Sequence, residues 1–153
     1  MPHYHLAQIN IARAKAPLDS PVMHGFTSRL EAVNAIAEGS PGFIWRLQTE
    51  EGDATSLRVF ADPQIIVNLS VWRDVEALKA FVFSGEHLQL LQNKKAWFDK
   101  LTTPSLALWW VPAGHQPSIE EAKQALHDLA EHGSSPRAFS IAQPMPQPLF
   151  NPA

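Results

Sequence analysis

The stretch that decides the fold is residues 65–72, which read IIVNLSVW. A run this rich in β-branched and aromatic side chains favours a strand. Successive side chains of a strand point to opposite faces. One face therefore carries Val67, Leu69 and Val71, and the other carries Asn68, Ser70 and Trp72. We expect the aliphatic face to pack on helices, and the amide and indole face to need another cover.

Upstream of this strand the pattern predicts a strand, a helix and a second strand. Residues 3–11 alternate in the manner of a strand. Apolar residues at steps of three and four between Met23 and Ala37 indicate a helix, which the turn GSPG at residues 39–42 ends. Residues 43–47, FIWRL, form the next predicted strand, and residues 49–55 a loop with a short extension at 57–60.

Downstream, the pattern predicts two helices, a strand and a third helix. Asp74 is a candidate cap for the first helix, and a further helix is expected over residues 84–100. Residues 105–111 alternate as a strand. Ser118 and Glu121 have the spacing of a capping box, which starts a last helix.

The resulting order, β-α-β-β-α-β, predicts an α+β fold of the ferredoxin-like kind, an antiparallel sheet with helices on one face. We assign residues 1–137 to this domain and residues 138–153 to a Pro-rich C-terminal tail. A sheet face that carries several tryptophans is too apolar to remain in water. A second copy of the same sheet is the simplest cover, so we expect a homodimer, a dimeric α/β barrel.

Composition narrows the possible functions. The 153-residue chain has no cysteine, so disulfides, thiolate nucleophiles and cysteine-ligated metals are excluded. The formal net charge of −3 argues against nucleic acid as a partner. No stretch has the apolar length of a membrane span, and the N-terminus does not resemble a signal peptide. We therefore expect a cytoplasmic protein that binds neither nucleic acid nor membrane.

Polar residues inside the predicted strands are the first candidates for a site. Asn10, Asn68 and Ser70 occupy strand positions, where a buried amide or hydroxyl either has a structural partner or contacts a ligand. Asn68, Ser70 and Trp72 alternate onto one face of their strand, and polar groups beside a tryptophan on such a face indicate a small-molecule pocket. The neighbouring strands add Trp45, Arg46 and Trp109 as candidate substrate-binding residues. Arg46 suits a carboxylate ligand, a glutamate partner or the rim of the sheet.

Histidines are the remaining candidates. His87 lies at a predicted helix start, where the helix dipole favours the neutral imidazole. A neutral histidine can serve as a base or a haem ligand, and packing alone also explains it. His3 and His5, two residues apart on a strand, are too few to define a metal site, so we predict none. Phosphate-binding loops, nucleophile elbows and HExxH motifs do not occur.

The passage VNLSVWRDVEALKAF at residues 67–81, followed by His87, resembles the antibiotic-biosynthesis-monooxygenase-like superfamily. LAQINIA at 6–12 and PGFIWRL at 41–47 more closely resemble a bacterial family of unknown function within it. The resemblance implies a dimeric α/β barrel. Members of the superfamily include oxygenases that need no cofactor, haem-degrading oxygenases and proteins with no known activity. Haem-degrading members use an asparagine, a tryptophan and a histidine at the positions that correspond to Asn10, Trp72 and His87.

Three hypotheses follow. In the first, the protein is a monooxygenase-like enzyme that needs no cofactor and holds a flat, apolar molecule in an aromatic cavity, with Asn10, Asn68, Trp72 and His87 as catalytic residues. In the second, His87 binds haem. In the third, the protein is a non-catalytic ligand-binding or structural dimer.

Overall fold

The sheet is antiparallel, and the first strand of the chain lies in its middle. The computed structural model describes residues 4–17, 19–47, 65–101 and 104–148. In these ranges the strands are β1 (Tyr4–Ala14), β2 (Phe43–Arg46), β3 (Ile65–Trp72), β4 (Phe98–Asp99) and β5 (Leu106–Pro112). The helices are α1 (His24–Glu38), α2 (Val75–Val82), α3 (Gly85–Trp97) and α4 (Ile119–His132). The spatial order is β2-β3-β1, with β5 and the short β4 both on the far side of β1.

The fold is the predicted α+β fold. Along the chain, β1, α1, β2, β3, α2 and β5 follow the predicted β-α-β-β-α-β succession, and α3 and the short β4 lie between α2 and β5. The predicted caps are also present. The side chain of Asp74 accepts a hydrogen bond from the Ala77 amide at 2.8 Å, and that of Ser118 accepts one from the Glu121 amide at 3.1 Å. The predicted loop and extension between β2 and β3, at residues 49–55 and 57–60, lie outside the described residues.

Two element ends differ from the prediction, for one reason. The helix expected to reach residue 100 ends at Trp97, and Phe98 takes an extended conformation. The first strand continues to Ala14, beyond the predicted end at residue 11. Both changes allow β4 to pair with the end of β1, where Arg13 and Asp99 form an ion pair at 2.6 Å. Tertiary pairing therefore overrides the helical pattern here.

The aliphatic face of β3 packs on a helix, as predicted, but the prediction that the Trp72 face needs a cover from outside the chain was wrong. Trp72 lies in one core with α2, through Ala77 and Leu78, and with Ala37 of α1. The opposite face packs against α4. Its core contains Val67, Leu69 and Val71 from β3 and Ala122, Ala125, Leu126 and Leu129 from α4. Period-two alternation separates two faces but does not say which helix covers each.

Helices of the same chain thus pack on both faces. Around Trp72 the amide and indole face does not require a second copy as its cover, because α2 and α1 supply one. The argument for a homodimer from an uncovered aromatic face therefore no longer holds, and the homodimer stays a prediction.

The segment after α4 continues into the fold. Phe139 is fully buried, and its backbone exchanges two hydrogen bonds with Leu108 of β5, at 2.8 and 2.9 Å. The indole of Trp110 donates to the Met145 carbonyl at 3.0 Å. The described part of the Pro-rich segment therefore packs against its own chain. In the described ranges, no helix combines the length and the apolar character needed to cross a bilayer.

Candidate functional site

Strand pairing brings several predicted site residues together. Asn10 of β1 lies directly opposite Asn68 of β3, and Gln8 lies opposite Ser70. Side chains in such cross-strand pairs have their Cβ atoms about 5 Å apart. The four polar side chains and Trp72 share one face of the sheet, on which α1 and α2 pack around Trp72. We call Gln8, Asn10, Asn68 and Ser70 the polar ladder.

Gln8 connects the polar ladder. Its Nε2 donates to Asn68 Oδ1 at 2.6 Å and to Ser70 Oγ at 2.8 Å. Ser70 Oγ also accepts from the Trp72 indole Nε1 at 2.9 Å. Gln8 and Ser70 are buried, and a buried polar group of this kind is costly unless it is paired. Gln8 therefore holds both neighbours in fixed orientations.

Asn68 is the open end of the polar ladder. It is exposed although β3 lies between β2 and β1. Because its Oδ1 accepts from Gln8, its Nδ2 is turned away from Gln8. Within the described part of the chain, no hydrogen bond uses Asn68 Nδ2 or the side chain of Asn10. Two neighbouring carboxamides can thus donate to the oxygen of a ligand.

Aromatic rings surround Trp72, next to the polar ladder. The Phe81 ring stacks on the indole, with centroids 5.2 Å apart and planes at 22°. Phe43 meets Trp72 edge-on at 5.4 Å. The His87 ring in turn contacts Phe81 at 4.9 Å. Phe81 therefore links His87 to Trp72.

His87 is set up as a neutral base. Its Nδ1 lies 3.0 Å from the Val82 carbonyl oxygen, which can only accept, so Nδ1 carries the proton and Nε2 keeps its lone pair. Burial lowers the pKa of His87 below the ordinary value of 6.5, although the hydrogen bond to Val82 acts in the opposite direction. The imidazole is consequently neutral at pH 7.

This lowered pKa predicts a pH-dependent stability. The folded chain binds the His87 proton less readily than the unfolded chain does. The free energy of unfolding should therefore decrease as the pH falls from about 6.5 through the lowered pKa, and His87 should add no pH dependence above that range. Urea titrations of the wild type and His87→Asn between pH 5 and 8 measure this, because the asparagine amide can still donate to Val82 without titrating.

The matched control is His127→Asn, which removes an exposed histidine of α4. It should keep the wild-type pH dependence, whereas His87→Asn should flatten it. If the free energy of unfolding of His87→Asn changes with pH as much as that of the wild type, the lowered pKa of His87 is contradicted.

Of the three remaining predicted substrate-binding residues, two lie on the other face of the sheet and one lies on the polar-ladder side. Trp45 and Trp109 pack on the α4 side of the sheet, so the structure does not bring them together with Trp72, and their role in substrate binding stays a prediction. Arg46 does lie on the polar-ladder side, opposite Ser70 in the strand pairing. Its Nε donates to Glu38 Oε1 at 2.8 Å, which matches the predicted glutamate alternative.

Trp109 of β5 instead belongs to a small polar group around Glu121, in the first turn of α4. Its indole donates to Glu121 Oε2 at 2.8 Å, and His115 Nε2 lies 2.8 Å from Glu121 Oε1. Partial burial by itself would raise the pKa of Glu121. The hydrogen bonds from His115 and Trp109 outweigh that effect and lower it. The hydrogen bond from Trp109 to Glu121 connects the start of α4 to β5.

Gln8 is the site residue that the sequence argument missed. It shares the strand face of Asn10, and that periodicity was the available signal. Its role depends on Asn68 and Ser70 lying across from it, which only the pairing register decides.

Haem fits this arrangement poorly. His87 has a free Nε2, as an axial ligand requires. However, Phe81 stacks on Trp72 and contacts His87, so a macrocycle placed between those two residues would have to displace it. Among the described residues, no three histidine or acidic side chains form a group suited to a metal ion.

Comparison with known proteins places the chain in a family. No protein of curated function matches it. Several solved structures are similar to this chain over most of their own length. Protein SO0527 from Shewanella oneidensis is 7% identical, with 72% of this chain and 93% of that chain covered and a TM-score of 0.51. Rv0793 from Mycobacterium tuberculosis is 15% identical, with 74% and 99% covered and a TM-score of 0.50.

SnoaB, a cofactor-independent oxygenase from Streptomyces nogalater, is 16% identical, with 73% of this chain and 95% of that chain covered and a TM-score of 0.43. At such identities the likeness concerns the fold alone. The model of a domain of unknown function, DUF3291, matches residues 5–152. This match confirms the family of unknown function that the sequence resembles, and the chain belongs to the DUF3291 family.

Proposed function

We propose that this protein binds a small, flat, oxygen-bearing aromatic molecule over the polar ladder and acts on it as a monooxygenase-like enzyme. The observation that carries the proposal is the exposed amide of Asn68, which Gln8 orients as a donor in the middle of the sheet. Asn10, directly opposite, supplies a second amide. Aromatic side chains beside the ladder suit the body of the ligand.

The chemistry we propose begins with a phenolic ligand. The proposed acceptor of the phenol proton is Nε2 of His87, which is neutral and has its other nitrogen on Val82. Because Phe81 and Trp72 lie between His87 and the polar ladder, the proton would reach it through water. The amides of Asn10 and Asn68 stabilise the phenolate oxygen. A phenolate is oxidised more readily than a phenol, and dioxygen would be the oxidant. One oxygen atom would replace a ring hydrogen and become the second carbonyl oxygen of a quinone, and the other would leave as water, so no external reductant is needed.

Binding of 2-naphthol tests the proposal, because absorbance distinguishes the naphthol from the naphtholate. Asn68→Ala should weaken naphthol binding about tenfold, the effect of one lost hydrogen bond of about 1.4 kcal/mol. Naphthalene, which lacks the oxygen, should bind both proteins equally. His87→Asn should retain binding and lose the naphtholate signal.

The outcomes separate the hypotheses. Equal naphthol affinity in the wild type and Asn68→Ala would exclude the amide site. Oxygen-dependent loss of naphthol in the wild type supports the enzyme, and binding without turnover leaves a ligand-binding protein. A Soret band after addition of haem, lost in His87→Asn, would favour the haem hypothesis over ours.

A further inference from the structure

The sheet face that carries the polar ladder is buried at both ends and open between them. Along β1 this face presents Leu6, Gln8, Asn10, Ala12 and Ala14 in turn. Leu6, Gln8 and Ala14 are 0%, 4% and 1% exposed, whereas Asn10 and Ala12 are only partly buried. The opening thus continues past the polar ladder to Ala12.

The neighbouring strand β3 has the same pattern. Ser70 is buried, Asn68 is exposed and Ile66 is partly buried. Ile66 lies directly across from Ala12, just as Asn68 lies across from Asn10. The two strands therefore share one opening. We call Asn10, Ala12, Ile66 and Asn68 the open patch.

Two separate hydrophobic clusters bound the open patch. One contains Leu6 and Trp72, packed with α2, and the other contains Ala14 with Phe26 of α1 and Trp97 of α3. Packed protein interiors leave few voids larger than a water molecule. A stretch of sheet that stays open between two packed clusters is therefore a candidate binding surface.

The open patch has a polar half and an apolar half. Asn10 and Asn68 offer amide donors, and Ala12 and Ile66 offer only hydrocarbon. Residues two apart on a strand lie about 7 Å from each other, so an oxygen held by Asn10 leaves room for a ring over Ala12. In the opposite direction along β1 the face is closed, because Gln8 is buried.

The strand itself does not explain alanine at residue 12. β-Branched and aromatic residues favour strands, and alanine is depleted in them. A larger apolar side chain at this partly buried position, beside Ile66, would bury more hydrocarbon and so add stability. The small side chain of Ala12 instead keeps the space above β1 free.

We propose that Ala12 determines which ligands fit: the ring of the ligand lies on its methyl group and against Ile66, and the small side chain leaves room for a second fused ring. The inference rests on the proposed function, in which Asn10 and Asn68 hold the oxygen of the ligand. A larger side chain at residue 12 would fill the space of the second ring and leave both amides in place. Ala12 is therefore a specificity-determining residue and takes no part in proton transfer.

Titration calorimetry with phenol and 2-naphthol tests this inference. The wild type should bind 2-naphthol more tightly than phenol, because only naphthol has the second ring. Ala12→Leu should weaken naphthol binding about tenfold, since the leucine and the second ring compete for one space, and should leave phenol binding within about twofold. Ala12→Val should have an intermediate effect. The matched control Ala130→Leu makes the same change at an exposed position of α4, on the other side of the sheet, and should change neither affinity.

Circular dichroism establishes that each variant is folded, and Ala12→Val decides if Ala12→Leu is not. Equal losses for phenol and 2-naphthol, or unchanged naphthol binding in a folded Ala12 variant, would overturn the inference. Asn68→Ala in the same series separates the two proposals. If it weakens naphthol binding while the Ala12 variants behave as the wild type, the proposed function stands without this inference. If Asn68→Ala has no effect, both are excluded.

Discussion

Replacing Trp72 by alanine is expected to lower the free energy of unfolding by about 3–5 kcal/mol. The indole is 1% exposed, stacks on Phe81 and meets Phe43 edge-on. Its removal leaves a cavity between β3 and α2 that packed neighbours refill only in part. It also removes the indole donor to Ser70. Urea or guanidinium titration followed by circular dichroism measures the loss.

Trp72→Phe separates the contribution of ring packing from that of the hydrogen bond to Ser70. It keeps most of the ring packing and removes the hydrogen bond to Ser70 Oγ, so we expect a loss of about 1–2 kcal/mol. A loss below about 1 kcal/mol for Trp72→Ala would mean that the contacts with Phe43 and Phe81 contribute little, and would contradict the described core.

Gly42→Ala should be the second severe substitution, with a loss of about 2–4 kcal/mol. Gly42 has φ of +85°, a left-handed conformation that strains any residue with a Cβ atom. A Cβ at this position would lie 2.5 Å from the Cβ of Ala77 in α2. The turn between α1 and β2 therefore needs glycine both for its conformation and for its close approach to α2.

Two further variants isolate these causes. Gly114→Ala has a comparable φ of +91° but nothing within 4 Å of the added Cβ, so only the conformational cost of about 1–2 kcal/mol should appear. In the double variant Gly42→Ala with Ala77→Gly, the contact is relieved, and a favourable coupling energy should be measured. Additive losses in the double variant would rule out the steric explanation.

The candidate site was predictable residue by residue, but not as an arrangement. Asn68, Ser70 and Trp72 share a face because alternation along a strand follows from covalent geometry. Their connection through Gln8 depends on a partner some sixty positions away, at a register that local pattern does not determine. The predicted neutral state of His87 rested on its place at a helix start, whereas in the fold burial lowers its pKa.

The sequence by itself determined the local elements of this protein: the alternation in residues 65–72, the caps at Asp74 and Ser118, and the turn at residues 39–42. These depend on interactions within a few residues. Only the tertiary structure decided that α2 covers the amide and indole face while α4 covers the aliphatic one. Both faces of β3 carry large apolar side chains, so the hydrophobic effect favours covering either face with either helix. The chain connections and the apolar faces of the helices decide which helix packs on which face.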